Sequence, residues 1–295
     1  MSDEDYSKLK DKVAASGQGK TEEPNIKHSE ISIRQQEPKS GGPAIITEKS
    51  GTVRPDRQFP EYAMVIRDKI NAKYEHQGTF LEIQSSIMQE AIRSAFSEHS
   101  QLDVRADPII FQKPYYPLFQ RRDKIKKIAE AALTSNDEMR KTHFKWLLKF
   151  MDDSFQELEI IHKSQVVKGL IEFKHVQMIF ASGGILVGEE NGLQECVILH
   201  DISDILEDKQ KGGNYVKLRA FRWQYNGTMF GPSLKKIRLD EFSAARQITE
   251  LDYYPIEALS KEKREKLFET LIERGKKWCE TVEVIDGKHY KYNGK

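Results

Sequence analysis

The stretch "YVKLRAFRWQYNGTMFG", Tyr215 to Gly231, decides the fold. Val216, Leu218 and Ala220 alternate with Lys217 and Arg219, the period of a strand with one buried and one solvated face. Asn226-Gly227 then offers the residue pair that a two-residue hairpin turn prefers. Such a turn pairs Tyr225 with Thr228 and Trp223 with Phe230, an aromatic cross-strand pair. The following "LKKIRLDEF" prolongs the second strand.

Upstream, "GILVGEENGLQECVILHDI" also has a period of two and reads as a hairpin turning around Glu190-Asn191-Gly192. Helical patterns flank these strands. In "EMRKTHFKWLLKFMDDSFQELEIIHK", Phe144, Leu147, Met151, Phe155, Leu158 and Ile161 step by three and four. That seam either packs inside the domain or presents a coiled-coil partner surface. A Pro/Tyr segment leads into a helix from Leu118 to Leu133. Ser85 is placed to cap "SIMQEAIRSAF" after the strand pattern "TFLEIQS". Ser260 is placed to cap "KEKREKLFETLIERGKKWCET", with Leu267, Leu271, Gly275 and Trp278 on one stripe. The fold class is α+β: an antiparallel β meander, as a small barrel or sandwich, packed with several helices.

Residues 1–58 are rich in Ser, Gly, Lys, Glu and Gln and hold too little apolar surface to offset ordering entropy. They are expected to form a disordered N-terminal tail, with the domain over 59–295. Within the tail, Gly19-Lys20-Thr21 resembles the end of a phosphate-binding loop. However, Ala14 stands where its first glycine belongs, and no apolar strand precedes it. The chain of 295 residues carries 47 basic and 46 acidic residues, a net charge of +1, so no global charge draws it to nucleic acid or anionic membrane. The acidic, polar N-terminus shows no signal peptide, and no apolar run is long enough to span a bilayer. An intracellular protein, cytoplasmic or nuclear, is expected.

Few residues invite chemistry. In "HDISD", strict strand alternation sends His200 and Asp201 to opposite faces, leaving only His200 and Asp204 to converge as two metal ligands. Cys279 has no base indicated nearby and reads as a packing residue. Arg274 to Trp278, "RGKKW", mixes basic and aromatic residues but reads as a solvated helix end. No catalytic, cofactor-binding or metal-binding set emerges.

The C-terminal third, "ARQITELDYYPIEALSKEKREKLFETLIERGKKWCE" and then "GKHYKYNGK", resembles an element of fungal AAA+ family ATPases. There it closes an uncharacterised domain upstream of the ATPase module. The matching residues are Ile248, Leu251, Tyr254, Pro255 and Ile256; Leu271, Ile272, Arg274, Gly275 and Trp278; and His289, Tyr290, Tyr292 and Gly294. "KPYYPLFQRRDKI" and "WQYNGTMFG" are similar to further elements of that domain. "KGLIEFKHVQMIFASGG" keeps Gly169, Ile171, Phe173, Phe180 and Gly183 of another, but has Gln177 and Ser182 where that pattern has Trp and Pro. The likeness spans roughly Arg54 to Lys295. It implies a non-catalytic substrate- or partner-recognition domain of an AAA+ ATPase system, as a fragment or a stand-alone paralogue. A protein partner or the ATPase module is then expected, and no nucleic acid. The alternative is a stand-alone metal-dependent protein or small enzyme using His200 and Asp204.

Overall fold

Two units organise the chain, Met1–Ser85 and Ser86–Lys295. The computed structural model describes residues 26–37, 45–48, 53–54, 59, 61–96, 104–225 and 229–283.

The first unit is built from β1 (His28–Gln36), β2 (Ile45–Glu48), β3 (Val53–Arg54), β4 (Tyr62–Ile70) and β5 (His76–Ile83), in the order β3-β2-β1-β4-β5. β1 runs parallel to β4, and the other pairs are antiparallel. Ile31, Ile33, Phe59 and Val65 form its apolar cluster. Arg67 in β4 holds Glu82 in β5 with two bonds, Nε to Oε1 at 2.6 Å and Nη2 to Oε2 at 2.9 Å. The first described strand begins at His28, within residues 1–58, and the chain divides into its two units at Ser85. The polar composition around Ile31 and Ile33 hides a buried face that exists only because β4, far along the chain, lies beside β1. Residues 1–25, with the Gly19-Lys20-Thr21 motif, lie outside the described residues.

The second unit opens with α1 (Ser86–Ala95), β6 (Ile109–Gln112), α2 (Tyr116–Gln120), α3 (Arg122–Leu133) and α4 (Glu138–Ser164). The helix expected from Leu118 to Leu133 is two helices meeting at Arg121, where φ −104° and ψ 5° leave the helical well. The α4 N-terminus is capped by Asp137, whose carboxylate accepts from the Arg140 N–H at 3.0 Å. Phe144, Leu147, Met151, Phe155 and Leu158 are all buried, so the α4 seam is core.

The sheet comprises β7 (Leu170–Ile171), β8 (Ile185–Glu190), β9 (Leu193–Ile202), β10 (Leu206–Glu207), β11 (Asn214–Tyr225), β12 (Phe230–Asp240), β13 (Arg246–Gln247) and β14 (Tyr253–Pro255). β7 and β13 pair separately. The rest curl into an antiparallel half-barrel, β12-β11-β9-β8-β14, with β10 also on β11. Val216, Leu218, Ala220, Val197, Leu199 and Leu186 fill its inner face with Phe173 and Phe180 from the preceding segment. On the outer side α5 (Lys261–Glu283) packs Leu267 and Leu271 against Val187 and Ile256. Its first turn is capped by Ser260, whose Oγ accepts from the Lys263 N–H at 3.4 Å.

The upstream hairpin turns at Asn191 (φ 53°) and Gly192 (φ 77°), with Glu190 opposite Leu193. Two successive positive φ values make the two-residue turn whose twist matches its strands. The downstream hairpin differs from expectation. Tyr225 stands opposite Phe230, and Trp223 opposite Pro232 rather than Phe230, while Asn226-Gly227 and Thr228 lie outside the described residues. The register moves by two, which keeps every side chain on its expected face. Among the described residues no helix is long and apolar enough to cross a membrane.

Candidate functional site

Three features of the second unit gather polar or exposed apolar side chains. The first is the outer face of the β11–β12 hairpin. Alternation turns Lys217, Arg219, Phe221 and Trp223 outward on β11, facing Arg238, Lys236, Leu234 and Pro232 on β12. Trp223 is 70% exposed, Met229 63% and Leu234 46%. The Tyr225 ring meets Trp278 of α5 edge-on at 5.6 Å. Trp278, expected on the buried stripe of its helix, thus lies at the stripe's exposed end.

The Arg238 guanidinium is fixed from below. Its Nε donates to Asp240 at 2.5 Å and its Nη2 to Asp208 at 2.6 Å, while its plane covers the Tyr215 ring at 3.9 Å. Asp208 also accepts from the Lys211 and Gln210 backbone N–H groups. The Lys211 N–H first, then Arg238 and the Gln210 N–H, hold its carboxyl at about 2, below the ordinary 3.8. A depressed carboxyl contributes stability above its unfolded value and loses it as pH falls through the folded one. The Tm gap between wild type and Asp208→Asn is therefore expected to be steady near neutrality and to close between pH 3.8 and about 2. A gap that stays constant through that window in thermal melts would refute the assignment.

The second feature is a polar cluster on the inner face of the half-barrel. Glu195 accepts from the Lys235 ammonium and the Tyr253 hydroxyl, and Glu190 accepts from Arg222. Lys235 also lies 3.4 Å from Glu190 and sits over the Tyr253 ring. Burial alone would lower the Lys235 pKa, but its bonds to Glu195 and Tyr253 outweigh this and raise it. Burial first, then the bond to Glu195, raises that of Tyr253. Both groups keep their protons at neutral pH, so neither serves as a base there.

The third feature is a pair of clefts that share Gln120 and Arg121 in their linings. The smaller, about 280 Å³, also has Tyr116, Gln177, Phe180, Ser182 and Asp204 in its walls. The larger, about 710 Å³, extends past Arg122, His162, Ile248 and Glu257. Gln120 Nε2 donates to the carbonyls of Gln177, Met178 and Phe180, at 3.0, 3.2 and 3.1 Å. The Arg121 Nη2 donates to the Ser182 carbonyl at 3.1 Å. Gln177 and Ser182, the two departures from the resembled pattern, both face the smaller cleft.

His200 and Asp204 take different partners. Arg219 pairs with Asp201 and Ala220 with Leu199, so β9 bulges at His200. A bulge breaks strict alternation. His200 Nε2 consequently lies 3.7 Å from Asp201, with its ring 5.0 Å from Phe221, while Asp201 binds Arg219 at 2.5 Å. Asp204 instead accepts from Gln177 Nε2 at 3.5 Å. No group of three or more His, Cys, Asp or Glu placed to hold a metal occurs among the described residues. The backbone of Cys279 is helical, and its side chain lies outside the description.

A domain of unknown function, DUF7025, is found at residues 162–260. This segment runs from the end of α4 through β14 and so contains the whole half-barrel. No curated protein and no solved structure matches the chain.

Proposed function

We propose that the chain is a non-catalytic recognition domain that holds a substrate or partner protein for an AAA+ ATPase. The observation that carries the reading is the exposed apolar end of the β11–β12 hairpin, with Trp223 70% exposed beside Leu234 and Met229. Exposed apolar groups gathered on one surface mark interaction sites, and tryptophan is the residue most enriched at their energetic centres. The C-terminal resemblance to a domain upstream of AAA+ modules supplies the ATPase part. Lys235 and Tyr253 of the inner cluster bind Glu195 and keep their protons, which suits a scaffold better than a reaction centre.

Affinity-tagged full chain recovered from its native cells is expected to co-purify an AAA+ ATPase identified by mass spectrometry. A Trp223→Ser, Leu234→Ser double variant with an unchanged circular dichroism spectrum is expected to lose it. The purified chain is expected to release no phosphate from ATP. Wild-type eluates without such an ATPase, or ATP turnover abolished by Lys20→Ala, would overturn the reading.

A further inference from the structure

Among the described residues β12 is an open edge: it pairs with β11 alone, along its whole length from Phe230 to Asp240. An antiparallel strand turns alternate N–H and C=O groups to each side, so half of those on β12 point away from the sheet. Pro232 has no N–H, which leaves the run from Ser233 to Leu239 as the stretch able to receive a further strand.

The charge beside that edge selects what can be added. Lys236 stands directly opposite Arg219, and Arg238 opposite Lys217. Like charges facing each other across a sheet are destabilising. Arg219 is compensated by Asp201, and Arg238 by Asp208 and Asp240. Lys217 and Lys236 have no acidic partner among the described residues. A second copy of the same edge would set lysine and arginine against lysine and arginine, a recognised guard against self-pairing. A strand carrying carboxylates at alternate positions meets the opposite situation. It gains main-chain bonds along β12 and places its acids beside Lys236 and Arg238.

We propose that β12 docks an extended acidic segment of a partner protein by strand addition, with alternate carboxylates on the face that carries Lys236 and Arg238. This rests on the reading of the chain as a recognition domain. It names the partner's chemistry: main-chain bonds supply the affinity and alternate side chains the specificity.

The test uses the full chain and a fluorescein-labelled synthetic peptide of alternating valine and glutamate, followed by anisotropy. Binding with Kd on the order of 10–100 μM is expected, weakened about fivefold or more by Lys236→Glu. Methylating the peptide nitrogens that face β12 removes main-chain donors without changing charge. Of two peptides methylated at the two alternate sets, one is expected to lose binding and the other to keep it. An alternating valine–lysine peptide is expected not to bind. The proposal is overturned if the valine–glutamate peptide does not bind, or if both methylated peptides bind like the parent. It is also overturned if oligothymidylate binds more tightly than the peptide and depends on Lys236, which would make the outer face a nucleic-acid platform. A chain that co-purifies an ATPase through Trp223 yet ignores the peptide loses this proposal alone; failure in both experiments removes the recognition reading as well.

Discussion

Placing a single methyl group on residue 188 is expected to destabilise the second unit more than most substitutions in its core. A Cβ built on Gly188 lies 2.2 Å from Cε1 of Tyr253, and two more ring atoms fall within 2.6 Å. Tyr253 stands directly opposite Gly188, and its hydroxyl is held by Glu195, so the ring has little freedom to step aside. Overpacking of this kind costs about 1–3 kcal/mol, and losing a hydrogen bond to a charged group adds about 1.5–3 kcal/mol. Gly188→Ala should therefore cost about 3–4 kcal/mol in urea unfolding, or a Tm fall of roughly 10 °C for a unit of this size. A double-mutant cycle isolates the cause. In a Tyr253→Ala background, Gly188→Ala should cost well under half as much; an undiminished cost there would show that the ring is not what forbids a side chain.

Glu195→Ala is expected to be the second large loss. It leaves the Lys235 ammonium and the Tyr253 hydroxyl, both largely shielded, without their common acceptor. Removing one partner of a buried pair costs about 3–5 kcal/mol. Glu190 remains 3.4 Å from Lys235, and Lys235 and Glu195 are not fully buried, which reduces the figure to about 2–3 kcal/mol here. Replacing the pair together, Glu195→Leu with Lys235→Met, should recover most of the loss, because a well-packed apolar pair can substitute for a buried ionic one. The cluster also sets an alkaline limit. The raised values of Lys235 and Tyr253 mean that the folded state holds these protons more tightly than the unfolded chain. Their contribution is complete below the ordinary values, about pH 10, and is lost as pH rises through the folded ones. Wild type should therefore lose its advantage over the Leu/Met double variant as melts are taken above that pH. An advantage that grows with pH would reverse the assigned sign.

The parts legible in the sequence are those set by local period. Val216, Leu218 and Ala220 announced the inner face of β11, and Phe144, Leu147 and Met151 the core side of α4, because alternation and helical spacing follow from backbone geometry alone. What pairing decides stayed hidden. Asn191-Gly192 adopts the tight turn that its composition suggests, but the register of β11 against β12 lies two residues from the one that Asn226-Gly227 suggests. His200 and Asp201 became neighbours through a bulge that exists only where β9 meets β11. The parallel partnership of β1 with β4 joins segments some thirty residues apart, and no local signal records it. The candidate surface was half visible: the outward aromatic and basic residues of the hairpin could be read from its period, whereas the open edge of β12 follows only from which described strands pair with it.

Gln120 and Arg121 belong to the linings of both clefts, and their side chains are tied to the segment from Gln177 to Ser182 by four hydrogen bonds. Any displacement of these two side chains would therefore alter the lining of both clefts at once. If a molecule filling one cleft moved them, it would change the affinity of the other cleft, and reciprocity would require the second molecule to change the affinity for the first by the same factor.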